Sequence, residues 1–458
     1  MAPRIVIIGG GSYQWVPKLL VDLANTPSLN EAEIVIEDLD LVAAQRMVTL
    51  VEHVAGLRDL PLTARATDNQ HDALDGADYV VVSISTGGFE SMRHDLEIPA
   101  RYGIHQSVGD TVGPGGISRS LRNIPVLVGI ARDMEQCCPH AWMLNLTNPM
   151  TALCRAVTRE TSITTIGLCH EVTLTRFVLS LLFDADFRDV HLEITGVNHL
   201  PIITSFRIGD EDGFELLQDL LENEGLRGSE PIAFAMPDEM EYTKTSPGDV
   251  WTRGDLLAVN RLKLELFSRF GVLPGAGDSH IAEFFPGFLT EESGRGKKWG
   301  VPITTIADRQ RDQVKHIADF ESMLAATEVS VMPSGELVAA LIDSRLRDKP
   351  RDFPLNLPNI GQCPDLPVDV VVESMCIVDA TGVRGRDVAV APPAIAEHLR
   401  RVSASQEMTV DAGISGDRDL VVAAMLADPL AGRIDYDLLE RMSDEMLSAT
   451  AKWLPQFI

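Results

Sequence analysis

Residues 4–25, "RIVIIGGGSYQWVPKLLVDLAN", decide how the rest of the chain is read. "RIVII" is a short β-branched run of the kind that forms a strand buried on both faces. After the glycines, Leu19, Leu20 and Leu23 fall at helical spacing. Strand, glycine turn and helix in that order make a cradle for a pyrophosphate. Gly9 permits the tight turn, Gly11 lets backbone approach a phosphate, and the helix N-terminus faces the anion, with Ser12 beside it. The third glycine of the G-x-G-x-x-G pattern is absent, because Gln14 stands there. The motif is incomplete, and its surroundings must carry the reading.

They do so by repetition. A second strand, "EIVIED", ends at Glu37 and Asp38, with Asp40 and a helix from about Leu41 behind it. An acid at that point is where the ribose hydroxyls of NAD are held, so Asp38 joins the cofactor candidates; capping of the next helix is the alternative. Further βα units follow in "ADYVVVSIS", "AWMLNLTNP" and "SITTIGLCH". Strands alternating with helices imply a parallel sheet, a Rossmann-like α/β domain expected over residues 1–200. Ligands of such sheets lie beyond the carboxyl ends of the strands, where Ser85, Gly87, Asn145, Asn148 and Cys169 fall. Past residue 200 the alternation weakens, and 201–458 is expected to form an α+β domain for substrate binding and oligomerisation. "SFRIGDEDGFELLQDLLENE" reads as strand, turn and amphipathic helix. The stretch 229–260 fits no pattern, and helical periods return at 304–330, 334–346 and 417–455 around a strand at 368–374.

The 458 residues carry 67 acidic and 39 basic side chains, a formal charge of −28. Such a chain repels phosphate backbones and anionic lipid, which argues against nucleic-acid and membrane-surface roles. The six cysteines show no paired spacing, which suits a reducing compartment. The first residues run straight into a strand, and no apolar run reaches the roughly 18–20 residues of a membrane span. A cytoplasmic location is expected.

Cys169 and His199 each follow an apolar strand-like segment and pair a thiolate with an imidazole, ligands that suit a transition metal. A buried hydrophobe-like cysteine and a core histidine are the alternatives. "GVLPGAGDSHIAEFFP", 271–286, gathers Asp278, His280 and Glu283 as an acid/base loop would, or as a capped helix start would. "QSVGDTVGPGGISRS", 106–120, is glycine-rich around Asp110 and Arg119, as a loop closing over a ligand would be.

"IGGGS", "EDLD", "NLTNPM", "GLCHEV", "GVNHL", "GVLPGAGDSHIAEFFP" and "PVDVVVES", in this order over the whole chain, resemble the NAD- and metal-dependent glycosidases of glycoside hydrolase family 4. The resemblance implies NAD and a divalent metal, usually manganese, held by Cys169 and His199. It also implies a cycle of oxidation at sugar C3, proton removal at C2, elimination of the aglycone, addition of water and reduction. Asn148 matches a sugar contact and Asp110 a loop residue near it. The residue after the metal cysteine is an acid in some members; here it is His170. Several members use a tyrosine as C2 base in the loop matching 275–286. None stands there, so Asp278 or His280 takes that place, Asp278 ranked ahead. "CHEV", 169–172, resembles the α-galacturonidase variant and makes Glu171 a substrate-side residue. A uronate needs a cationic partner, for which Arg119, Arg122, Arg253 and Arg295 are candidates. An α-glucuronidase or a neutral α-galactosidase or α-glucosidase is the alternative within the family, which also implies a dimer or tetramer. Outside it stands a 2-hydroxy-acid dehydrogenase of the lactate/malate type, which would share the glycine turn without needing Cys169. A sensor that binds NAD or sugar without turnover is the reading furthest from these.

Overall fold

The computed structural model describes residues 2–223, 253–328, 334–386 and 390–457. Six parallel strands open the chain: β1 (Arg4–Ile8), β2 (Glu33–Glu37), β3 (Thr63–Thr67), β4 (Tyr79–Val82), β5 (Trp142–Asn145) and β6 (Thr165–Leu168). They lie in the order β3-β2-β1-β4-β5-β6, so the chain reverses direction across the sheet between β1 and β4. That reversal opens the crevice in which doubly wound sheets bind their ligands. Alternate residues of the strands feed two cores. Ile5, Ile7, Ile34 and Ile36 pack on one face, and Val6, Ile8, Val35 and Val80 on the other. Burial on both faces is why "RIVII" and "YVVV" show no polar alternation.

A smaller antiparallel sheet follows, of β7 (Val190–Val197), β8 (Leu200–Ile208), β9 (Glu211–Asp212) and β10 (Leu273–Pro274). β7 and β8 are joined by two residues, Asn198 and His199. The last strands, β11 (Arg351–Pro358), β12 (Val371–Asp379) and β13 (Gly382–Gly385), return to the first sheet. β11 pairs antiparallel with β6, Leu355 opposite Leu168, and extends that sheet to nine strands. The two parts read from sequence therefore share one sheet.

Helices Ile306–Ala325, Val338–Leu346, Arg418–Ala427 and Tyr436–Thr450 stand where helical periods were read. Most of 229–260 lies outside the described residues. Helix Pro393–Ser415 was not anticipated: its buried side includes Ser403, Ser405, Gln406 and Thr409, which blur the apolar stripe. It packs on helix Gly113–Cys137, where Gly413 meets Ile124. Much of "QSVGDTVGPGGISRS" is the start of that helix rather than a loop. Among the described residues no helix is long and apolar enough to cross a membrane.

Candidate active site

The crevice at the β1–β4 reversal keeps the form expected of a pyrophosphate cradle. Gly9 sits at φ +77°, and a Cβ there would lie 2.1 Å from the Ser83 carbonyl oxygen. A Cβ on Gly11 would lie 2.9 Å from Asp38 Oδ2. Asp38 braces the turn by accepting the Gly11 N–H at 2.9 Å. Ser12 Oγ accepts the Trp15 N–H at 3.4 Å, at the start of helix Val16–Asn25. Ser85 is exposed at the mouth, and Gly87, at φ 84°, caps helix Gly88–Arg101. Asn145 is different. It is fully buried, its Oδ1 accepts the Thr147 N–H at 3.0 Å and its Nδ2 donates to the Thr147 carbonyl at 3.0 Å. It braces the turn after β5 and offers a ligand nothing directly.

Beside this crevice three side chains from distant parts of the chain converge. Ligand atoms of Asp110, His199 and His280 lie within 4.8 Å of one another. The imidazoles of His199 and His280 stack at 3.6 Å, and His280 Nδ1 is 3.9 Å from Asp110 Oδ1. His199 stands at the tip of the β7–β8 hairpin with φ 64°, a left-handed conformation uncommon outside glycine and more frequent at functional sites. The Thr111 hydroxyl donates to Asp110 Oδ1 at 2.7 Å and lies 2.7 Å from His199 Nδ1. With its one proton given to Asp110, that hydroxyl accepts from Nδ1–H and leaves Nε2 of His199 as a bare lone pair. Burial, and then His280, push His199 down to about 3, so the ring is neutral near pH 7. Burial acts to raise the Asp110 carboxyl, but His280, His199 and Arg119 outweigh it and hold it well below the usual carboxylate range.

Asn148 donates to Asp110 Oδ2 at 3.4 Å, and Arg119 Nε donates to the Asn148 carbonyl at 3.0 Å. His280 Nδ1 and Asn148 Oδ1 are buried without a hydrogen-bond partner. An imidazole with a bare lone pair and a carboxylate fit a divalent cation of the manganese kind, and the unpartnered His280 and Asn148 atoms beside them fit a sugar bound to it.

Three buried acids hold the loops that carry this group. Glu283 Oε1 accepts the N–H groups of Val108 and Gly109, both at 2.7 Å. Glu373, on β12, accepts from Asn198 Nδ2 at 3.2 Å and so grips the hairpin turn. Burial pushes each of these two carboxyls up to about 8. Glu171 accepts the Gly277 N–H at 2.5 Å, tying "CHEV" to the loop before His280. Burial acts to raise Glu171, but His280, His170 and His199 bring it to about 2. Thr111, Glu373 and the bracing duty of Glu283 were not read from the sequence. The available signal was an acid inside an apolar run, as in "IAEFF" and "VVVES".

Asp278 does not join the group. Its Oδ2 accepts the Leu262 N–H at 2.7 Å and its Oδ1 the Lys263 N–H at 3.1 Å. It thereby caps helix Arg261–Phe270, whose own N-cap Asn260 makes no side-chain cap. Both oxygens are occupied, so His280, not Asp278, is the group in this loop that faces the site. Cys169 is also outside the three-residue group. Burial, with Glu373 and Glu171 nearby, holds its thiol well above the usual range, while the Asn198 side chain acts the other way. His170 is 3.3 Å from Glu336 and 3.8 Å from Glu171. Burial acts to lower it, but these carboxylates raise it to about 9.

The arginines separate. Arg122 is buried and gripped by both oxygens of Asp95. Arg295 is exposed and pairs with Glu291 at 3.0 Å. The Arg253 side chain lies outside the described residues. Of the three whose side chains are described, Arg119 alone reaches the Asp110 group.

A family model described as "Family 4 glycosyl hydrolase" matches residues 4–183, and the model of its C-terminal domain matches 194–431. An alpha-galacturonidase of Bacillus subtilis is 30% identical over 453 residues, 97% of this chain and 96% of that protein. An alpha-galactosidase of the same organism is 29% identical over 461 residues, 99% of each chain. Among solved structures, a putative glucosidase lplD from Bacillus subtilis superposes with a TM-score of 0.85 at 30% identity, covering 97% of this chain and all of that one. A 6-phospho-alpha-glucosidase from gut microorganisms, in complex with NAD and Mn2+, superposes with a TM-score of 0.80 at 19% identity, over 100% of both chains. At that identity it speaks for the fold alone.

Proposed function

Because the chain belongs to family 4 of the glycosyl hydrolases, we propose that it hydrolyses α-glycosides, α-galacturonides foremost, with bound NAD and manganese and without net oxidation. The observation that carries this is the convergence of Asp110, His199 and His280 beside the nucleotide crevice. Two observations support a galacturonide: "CHEV" at 169–172, and the 30% identity to an alpha-galacturonidase. The comparable identity to an alpha-galactosidase favours a neutral α-galactoside as the second reading.

When bound, NAD supplies a hydride acceptor and donor, and the metal a Lewis acid that stabilises charge developing on the sugar oxygens. His199 would offer Nε2, Asp110 its carboxylate and Cys169 its sulfur to the metal. Thr111 fixes the tautomer of His199, and Glu373 fixes the turn that presents it. Asn148 and Arg119 orient the sugar above Asp110. His280 takes the C2 proton: its Nδ1 is unpartnered, mostly buried and beside an ionised carboxylate that stabilises the imidazolium so formed. Gly9, Gly11 and Asp38 would hold the dinucleotide.

The test is hydrolysis of p-nitrophenyl α-galacturonide, α-glucuronide, α-galactoside and α-glucoside with NAD, manganese and reductant. The galacturonide should be cleaved fastest, with no net NADH. Stoichiometric NADH from a 2-hydroxy acid, with no glycoside cleaved, would point to a dehydrogenase instead.

A further inference from the structure

Arg309 played no part in the sequence reading, yet the fold brings it toward the site. It lies on the first turn of helix Ile306–Ala325, which Thr305 and Asp308 cap through a capping box. The start of that helix is stitched to the Asp110 loop, since the Thr304 N–H donates to the Ser107 carbonyl at 2.9 Å. Ser107 Oγ in turn donates to the carbonyl of Ser279, next to His280. Arg309 therefore stands one turn beyond a junction of the two loops that carry Asp110 and His280.

Its environment is unusual for this protein. Acids outnumber bases by 67 to 39, and nearby Arg311 pairs with Asp308. Arg309 is half-buried, and among the described residues its side chain makes no hydrogen bond or ion pair. A second guanidinium at the site with donors unfilled among the described residues is that of Arg119. Its Nε is held by the Asn148 carbonyl, while its two terminal nitrogens make no hydrogen bond among the described residues. The two cations lie within electrostatic reach of each other and repel. Asp95 and Asp110 act on Arg119 in the opposite sense, but Asp95 is gripped by Arg122 and Asp110 faces two histidines. Two half-buried cations left with exchangeable donors make a seat for an anion, and a carboxylate held by guanidinium forks is the strong form of that pairing.

We propose that Arg309, together with Arg119, holds the C6 carboxylate of the sugar and so selects uronides over neutral hexosides. This rests on the glycosidase reading and names the residue that gives it substrate selectivity. A C6 phosphate presents the same negative charge in a larger, tetrahedral group, so the experiment includes it as a separate arm.

The measurement is calorimetry on the NAD- and manganese-loaded enzyme with D-galacturonate, D-galactose and D-galactose 6-phosphate as probes, on wild type, Arg309→Gln and Arg309→Lys. Wild type should bind galacturonate at least tenfold more tightly than either other sugar. Arg309→Gln should reduce the galacturonate-to-galactose ratio at least tenfold, Arg309→Lys should restore part of it, and NAD affinity should hold within twofold in both. An unchanged ratio in Arg309→Gln overturns the proposal. So does a parallel loss of NAD affinity, which would place Arg309 on the pyrophosphate, and so does tighter binding of the 6-phosphate by wild type. Retained galacturonate preference without cleavage of any α-glycoside would instead defeat the glycosidase reading while leaving the carboxylate seat standing.

Discussion

His280 is the residue on which the chemistry turns, because two duties compete for it. As the C2 base it should be dispensable for the metal. His280→Ala should slow C2 proton exchange by about 100-fold or more, the usual scale for a general base, while manganese affinity measured by calorimetry stays within a few-fold. If the variant loses manganese as completely as His199→Ala, His280 is a ligand and the base lies elsewhere. Cys169 carries a different expectation. Its thiol is held well above the usual range, and only a nearby cation would favour the thiolate that binds metal. Cys169→Ser should weaken manganese binding about tenfold or more with unchanged circular dichroism; wild-type affinity would remove Cys169 from the metal's shell. His199 was legible because it follows an apolar strand; Cys169 ends one too, but stands outside the three-residue group. Thr111, Glu283 and Glu373 were not legible as partners, because only the folded sheet brings 107–111, 283 and 373 to one point. Asp278 was misjudged for a related reason. Sequence places it at the start of its own helix, whereas in space it caps the preceding one.

At the scale of elements, the site is a meeting of loops and one hairpin, each pinned by a buried acid. Glu283 pins the 107–110 loop, and its carboxyl stands at about 8 against an ordinary 4.5. Between these values the folded protein holds a proton that the unfolded chain has released, so stability falls as pH rises from 4.5 to 8. Glu283→Gln keeps an oxygen for both N–H groups and has no proton to lose. The melting temperature of wild type should decline relative to this variant as pH rises through that window, and parallel curves would contradict the assignment. The strand ends and the glycine turn were readable from their β-branched runs. The helical nature of 113–120 was not, because three glycines and a proline there read as loop. In the structure these small residues allow close packing: a Cβ on Gly116 would lie 2.4 Å from the Thr111 backbone.

Over the whole molecule, the two parts read from the sequence are joined more closely than a linker would join them. β11, β12 and β13 complete the first sheet, and Glu373 on β12 holds the turn that carries His199. A fragment of residues 1–200 would expose the edge of β6 and leave that turn unsupported. Such a fragment should aggregate or give a poorly dispersed amide spectrum, and a sharp, monomeric spectrum would contradict this picture. The alternation of strands and helices announced the parallel sheet. Nothing local announces that "RDFPLNLP", 351–358, pairs with a strand nearly two hundred residues earlier.

The central claim is that this site breaks a glycosidic bond by way of proton removal at C2. Hydrolysis of p-nitrophenyl α-galacturonide in heavy water, with NAD and manganese present, tests it most directly. Deuterium should appear at C2 of the released sugar in the proton NMR spectrum, with no accumulation of NADH. A product that keeps its original hydrogen at C2 would contradict the account.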